Sequence, residues 1–193
     1  MEQNLRTRGK VYSKEIMKKA KNFLILAIEK SGHNPKPVIK HSLRVANILE
    51  KFGYSEEVVI AATLHDLLED SDTKVEEIEE KFGGEIADLV LANSFDENIT
   101  DKVERYKENF DRLVKAGRKA LVIKAADILD NSNYYHLADK KTFKYLLEKM
   151  DYFIKISKPA LGKEPLYKNL LKELKRLRTS PQKLTKQREF DSL

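Results

Sequence analysis

The 193-residue chain contains no cysteine, and glycine and proline are sparse, at seven and five residues. Without cysteine there is neither a disulfide framework nor a thiolate metal site, so any metal must be held by imidazole and oxygen ligands. Zinc ribbons and iron-sulfur clusters are excluded on the same ground. Few glycines and prolines imply short loops. Long apolar runs are also missing: the longest, Phe23 to Ile28, falls far short of the roughly 20 residues needed to span a bilayer. The N-terminal residues include Glu2, Arg6 and Arg8 and no apolar stretch, which does not read as a secretory signal. Cytoplasmic residence is the expectation, with no membrane partner.

What is present is the composition of a folded helical protein, 41% hydrophobic and 35% charged, rather than that of a disordered or fibrous chain. The length suits one domain, or one domain with a helical appendage. The net charge of +6 favours anionic partners, but the excess is concentrated between Lys168 and Arg188. A solvated helix face is the common origin of such a run; a phosphate-attracting rim and a nucleic-acid contact are the alternatives.

Apolar residues recur at helical spacing almost throughout. Ile16, Ala20, Phe23, Leu24 and Ala27 mark a first helix after Ser13, and Ile39, Leu43, Ala46 and Leu49 a second from Val38 to Gly53. Ser55 opens a third that continues to Asp70. Thr73 with Glu76 has the pattern of a capping box ahead of Val75, Ile78 and Phe82. Further helices carry Ile86 to Val90 and Val103 to Leu113, and a densely apolar one carries Leu121 to Leu129, with a polar connection at Asn93 to Thr100. A long helix is expected from Asp139 to Ser157, and a basic one after Pro159 and Gly162. A polar tail begins at Ser180. With no strand alternation, the expected class is all-α, irregular rather than an up-and-down bundle. A division into residues 1–162 and a basic helix with its tail, 163–193, is the expected organisation.

Four groups near the end of the third helix carry candidate chemistry. His65 and Glu69 share one helix face, and Asp66 and Asp70 the next. Carboxylates packed this closely beside Leu64, Leu67 and Leu68 repel one another, and a divalent cation relieves that repulsion. His41 and Asp127 complete the set, since each sits in an otherwise apolar stripe where an unpaired polar group is costly. Taken singly, a histidine on an apolar face is more often a hydrogen-bonded core residue, and an acidic run is usually a solvated face. The joint pattern carries the inference. Two imidazoles and two carboxylates suit Mn²⁺ or Fe²⁺, with Mg²⁺ and Zn²⁺ as alternatives.

The segments His41 to Ala46, Ala61 to Asp70 and Val122 to Asn131 resemble, in order and spacing, the HD-domain phosphohydrolases. Within that group they are most similar to the hydrolase domain of RelA/SpoT-type (p)ppGpp enzymes and their small stand-alone relatives. The likeness runs from about Phe23 to Tyr135. It implies a helical HD fold, with His41, His65, Asp66 and Asp127 as metal ligands and Glu69 and Asp70 as the acidic pair handling the attacking water. It also implies that Asn131 lies near the substrate ribose, with Mn²⁺ assisting removal of the 3′-pyrophosphate from guanosine tetraphosphate. Two positions differ from that group: Gly32-His33 stands where an Arg-Lys pair is usual, and Ser42 follows His41 in place of proline.

Lys36, Lys40, Arg44 and Lys124 are candidates for attracting a polyanionic nucleotide; Lys124 is equally well read as a solvated neighbour of an apolar helix. Two further readings compete. One keeps the metal site but acts on another nucleotide, such as a deoxynucleoside monophosphate. The other is a non-catalytic module that senses a nucleotide and docks through its basic C-terminal helices. A nucleotide is the expected partner, nucleic acid is disfavoured, and a homo-oligomer is compatible with the sequence.

Overall fold

Where apolar residues recur every three or four positions the chain forms helix, and the described residues hold ten α-helices. The computed structural model describes residues 13–32 and 37–179. The helices are α1 (Lys14–Ser31), α2 (Val38–Lys51), α3 (Glu56–Leu64), α4 (Leu67–Asp70), α5 (Val75–Phe82), α6 (Gly84–Asn93), α7 (Lys102–Ala116), α8 (Arg118–Ser132), α9 (Lys140–Leu161) and α10 (Pro165–Thr179), with a 3₁₀ turn at Tyr135–Leu137. Among the described residues there is no strand, and the fold is all-α as expected. Among these residues no helix is long and apolar enough to cross a membrane. The expected polar tail from Ser180, together with His33 and Lys36, lies outside the described residues.

The hub is α8. Its residues Leu121, Val122, Ile123, Ala125, Ala126 and Ile128 are buried, so it is apolar around most of its circumference, as a central helix must be. It packs against α2, α3, α6, α7, α9 and α10. Gly117 joins α7 to α8 at φ +93° and ψ −168°, a conformation open to glycine and costly for any side-chain-bearing residue. The chain can therefore reverse there without a connecting loop. α10 buries Leu166, Tyr167, Leu170, Leu174 and Leu177 against α8 and α9, so the helix following position 162 contributes to the same core.

Capping side chains define several helix starts. Asp101 Oδ1 accepts from the backbone N–H groups of Val103 and Glu104 at 2.8 and 2.9 Å, and Asp139 Oδ1 does the same for Lys141 and Thr142 at 2.8 and 3.0 Å. Each satisfies two of the donors a helix start leaves unpaired.

Three sequence expectations need correction. The capping pattern before α5 is shifted by one residue: the Lys74 N–H donates to Glu77 Oε1 at 3.2 Å, and Thr73 instead bonds Ser71. Pro159 lies inside α9 rather than beyond it. Its ring offers no N–H to the carbonyl one turn earlier, yet the helix runs on for two residues, and Gly162 N–H closes the final turn on Lys158 O at 2.9 Å. Third, the expected single helix from Ser55 to Asp70 is broken at His65 and Asp66, where Asp66 adopts φ −94° and ψ −4°, in the bridge region between helix and strand.

Candidate metal centre

The break between α3 and α4 matters for the chemistry. Successive residues of an unbroken helix point about 100° apart, whereas the turn at 65–66 brings both side chains to one place. His65 Nε2 lies 3.1 Å from Asp66 Oδ1. From α2, His41 Nε2 lies 3.6 Å from Asp66 Oδ2 and 3.2 Å from Asp127 Oδ1 of α8. The two imidazole rings are 5.3 Å apart. One ligand atom each from His41, His65 and Asp127 falls within a 4.8 Å group; Asp66 is not part of that group, although its carboxylate borders both imidazoles. Three separate segments thus converge on one point.

Each imidazole is held so that Nε2 faces that point. His41 Nδ1 is 2.8 Å from Asp130 Oδ2, and His65 Nδ1 is 2.8 Å from the Ala62 carbonyl oxygen. An acceptor at Nδ1 assigns the proton there and leaves Nε2 with its lone pair, the arrangement of metal-ligating histidines. His65 Nε2 is buried and has no hydrogen-bond partner among the described residues. Buried polar atoms are seldom left so, and a nitrogen lone pair among carboxylates is suited to a cation. The donor set of two imidazoles and two carboxylates therefore fits a divalent metal.

The electrostatics agree. Burial works against charging His41, yet the hydrogen bonds it donates to Asp127 and Asp130 and the charge of Asp66 outweigh it, raising its pKa to about 10, so that without a cation a second proton sits at Nε2 where the metal would bind. For Asp127 burial favours the neutral acid, but Lys124, His41 and His65 hold it well below the usual carboxylate range. The potential here is negative enough to retain positive charge.

Around this point lies a cavity of about 500 Å³ that includes Glu69, Asp70, Arg44, Lys124, Asn131 and Lys149 in its lining. Glu69 Oε1 accepts from the Phe95 N–H at 2.9 Å. Burial raises its pKa, with Lys124 opposing the shift. Asn131 Nδ2 donates to Asp127 Oδ1 at 2.6 Å, so it touches a candidate ligand as well as facing the cavity. Arg44 forks onto Asp130, with Nε to Oδ1 and a terminal nitrogen to Oδ2 both at 2.8 Å.

Lys124 is 3% exposed and donates to Asp127 Oδ2 at 3.0 Å, which excludes the solvated reading of this residue. Lys40 is exposed on α2 and lies outside the cavity lining.

Asp130, Tyr134, Phe95 and Lys149 were not singled out in the sequence. Asp130 had a signal, since it stands three residues beyond Asp127 and so on a neighbouring face of α8. Phe95 sits in the connection read as polar, and Lys149 is one of several lysines on α9; nothing local distinguishes them.

A family model described as HD domain matches residues 20–156. A guanosine-3′,5′-bis(diphosphate) 3′-pyrophosphohydrolase of Aquifex aeolicus is 40% identical over 112 residues, covering 54% of this chain and 16% of that protein. The Drosophila melanogaster protein of the same name is 36% identical over 97 residues, covering 49% of this chain and 54% of its own length. The chain thus spans about half the length of the short relatives, and much less of the long ones. A solved structure of a metazoan SpoT orthologue, described as hydrolysing ppGpp, has the same fold at 23% identity, with a TM-score of 0.73 over 88% of this chain and 98% of that one. A Listeria monocytogenes structure aligns at 26% identity and a TM-score of 0.65, covering 72% and 94%. By the match of its helices 20–156 and the three-segment His/Asp cluster they carry, the chain belongs to the HD domain family.

Proposed function

We propose that this chain is a metal-dependent phosphohydrolase that removes the 3′-pyrophosphate from a guanosine 3′,5′-bis(diphosphate)-type nucleotide. The observation that carries the reading is the buried His65 Nε2, which has no hydrogen-bond partner among the described residues and stands among the carboxylates of Asp66 and Asp127 beside His41. The substrate class is supported by relatives 36–40% identical that bear this activity in their names.

His41, His65, Asp66 and Asp127 would hold the ion, for which Mn²⁺ is the proposed identity. When bound, it supplies Lewis-acid charge at a phosphoryl oxygen and lowers the pKa of water. The residues do the rest. Glu69, fixed through Oε1 by the Phe95 amide and kept basic by burial, accepts a proton from the attacking water. Asp70, in the same cavity, helps orient that water. The water oxygen bonds to phosphorus as the bond from phosphorus to the ribose 3′ oxygen breaks; the proton taken up by Glu69 passes to that oxygen, leaving alcohol and pyrophosphate. Arg44 and Asn131 line the nucleoside side.

Metal analysis of the purified chain, with a Mn²⁺-supported assay of pyrophosphate release from ppGpp and phosphate release from a nucleotide panel, tests the proposal. The expected outcome is one divalent ion bound through the four residues and pyrophosphate released from ppGpp. Release of phosphate alone, from nucleoside monophosphates, would move the chain to a 5′-nucleotidase.

A further inference from the structure

Lys149 is a cation of the cavity lining that the chemistry above does not use. It reaches the lining from α9. Its Nζ stands 4.8 Å from the centre of the Phe95 ring and 5.9 Å from that of Phe110. Lys124 Nζ stands 5.3 Å from the same Phe95 ring, and Arg105 approaches it at 5.9 Å. The difference between the two lysines is what they touch. Lys124 is tied to Asp127, whereas no hydrogen bond or ion pair joins Lys149 Nζ to any described residue. The half-buried ammonium thus faces rings and no carboxylate within ion-pair distance, and its like-charged neighbours Lys124 and Arg105 add to the cost of its charge, offset in part by Asp127 and Glu69 at longer range. Such a group becomes favourable once an anion enters. The cavity is therefore polarised: carboxylates and imidazoles surround one point, and an unpaired cation waits on the α9 wall beyond Lys124.

We infer that Lys149, with Lys124 beside it, receives the second phosphoryl group of the substrate, so that the site selects a pyrophosphate ester over a phosphate monoester. The inference rests on the hydrolase reading and deepens it. One phosphoryl group lies at the His/Asp centre, and a phosphorus further along the same anion meets the Lys149 ammonium. A monoester leaves Lys149 as bare as it is in the free protein. Phe95 holds the lysine stem in place and excludes water from one side of it, so Lys149 is a substrate-binding residue and Phe95 a positioning one.

The test compares binding of inorganic pyrophosphate and inorganic phosphate to the full chain loaded with Mn²⁺, by titration calorimetry with free Mn²⁺ buffered. The comparison is repeated on Lys149→Met and Lys149→Arg, alongside thermal melts at pH 7 and Mn²⁺ content. Wild type is expected to prefer pyrophosphate by about tenfold or more, the range of a charge-assisted contact. Lys149→Met should abolish that preference while leaving phosphate affinity and Mn²⁺ content unchanged, and should melt at or above the wild-type temperature. Lys149→Arg should recover part of the preference. Equal affinity for the two anions in wild type, or an unchanged preference in Lys149→Met, overturns the assignment and leaves the hydrolase reading standing. A lower melting temperature for Lys149→Met would mean that the fold itself satisfies the ammonium, and also overturns it. No Mn²⁺ uptake and no binding of either anion overturns the hydrolase reading and the assignment with it.

Discussion

The Asp130 carboxylate stands 2.8 Å from His41 Nδ1 through Oδ2, and the same carboxylate takes both arms of the Arg44 guanidinium. One acidic residue on α8 thereby sets the proton position of an imidazole on α2 and anchors a cation at the cavity mouth. Burial favours its neutral form, but His41 and Arg44 hold the Asp130 pKa below the ordinary range.

Asp130→Asn should weaken metal binding by roughly 10–100-fold, the usual effect of losing a partner behind a ligating histidine. Helicity should be unchanged. Equilibrium titration with Mn²⁺ and far-ultraviolet dichroism check the two parts, and an affinity equal to wild type would remove Asp130 from the centre.

Asp127→Ala or Asp66→Ala should abolish both metal content and hydrolysis while the helical spectrum persists. Full activity of either variant in a metal-free preparation would end the enzyme reading.

Glu69→Gln preserves the hydrogen bond that the Phe95 amide donates but loses the proton-accepting oxygen. Turnover should fall by roughly 10²–10⁴-fold with Mn²⁺ content unchanged and KM little altered. A variant that keeps its kcat would transfer the proton-accepting role elsewhere in the cavity, with Asp70 next in line.

The pH dependence should carry a basic limb from Lys149. Burial lowers its pKa from 10.5 to about 8, and Lys124 on α8 and Arg105 on α7 push the same way, against Asp127 and Glu69. The group is therefore charged below about pH 8 and neutral above it, and kcat/KM for a pyrophosphate ester should decline as pH rises through that value. Since an unfolded lysine keeps its proton to a higher pH, the folded state binds fewer protons between about 8 and 10.5, and this residue's contribution to stability rises with pH across that window. Lys149→Met should lack the basic limb; its persistence would assign that limb to another group.

Gly117→Ala should destabilise the fold by about 1–3 kcal/mol through backbone strain alone, because no atom lies within 4 Å of the added methyl position. Denaturant titration gives the value, and a change near zero would show that the α7–α8 junction relaxes.

Much of this was legible without coordinates. The 3.6-residue recurrence of apolar side chains is a local property, and it marks nearly every helix; so does the all-apolar character of 121–129, which makes α8 a hub. His41 and Asp127 stand out because a polar group in an apolar stripe needs a partner, and His65 and Asp66 because the carboxylates crowded on those two turns need a cation; both arguments use only neighbours along the chain. Whether His65 and Asp66 could face one ion could not be settled locally, because it depends on whether the helix continues, and tertiary packing breaks it at Asp66.

The sequence by itself determined the helices, the absence of thiolate chemistry and the donor types available to a metal. Only the tertiary structure decided which donors meet. Asp130 takes its place behind His41 across 89 residues of chain, and Phe95 and Lys149 become cavity wall, because α2, α3, α8 and α9 bury their apolar faces on one another and carry these side chains with them. Contacts between residues distant in the chain are set by that burial, and no local pattern records them.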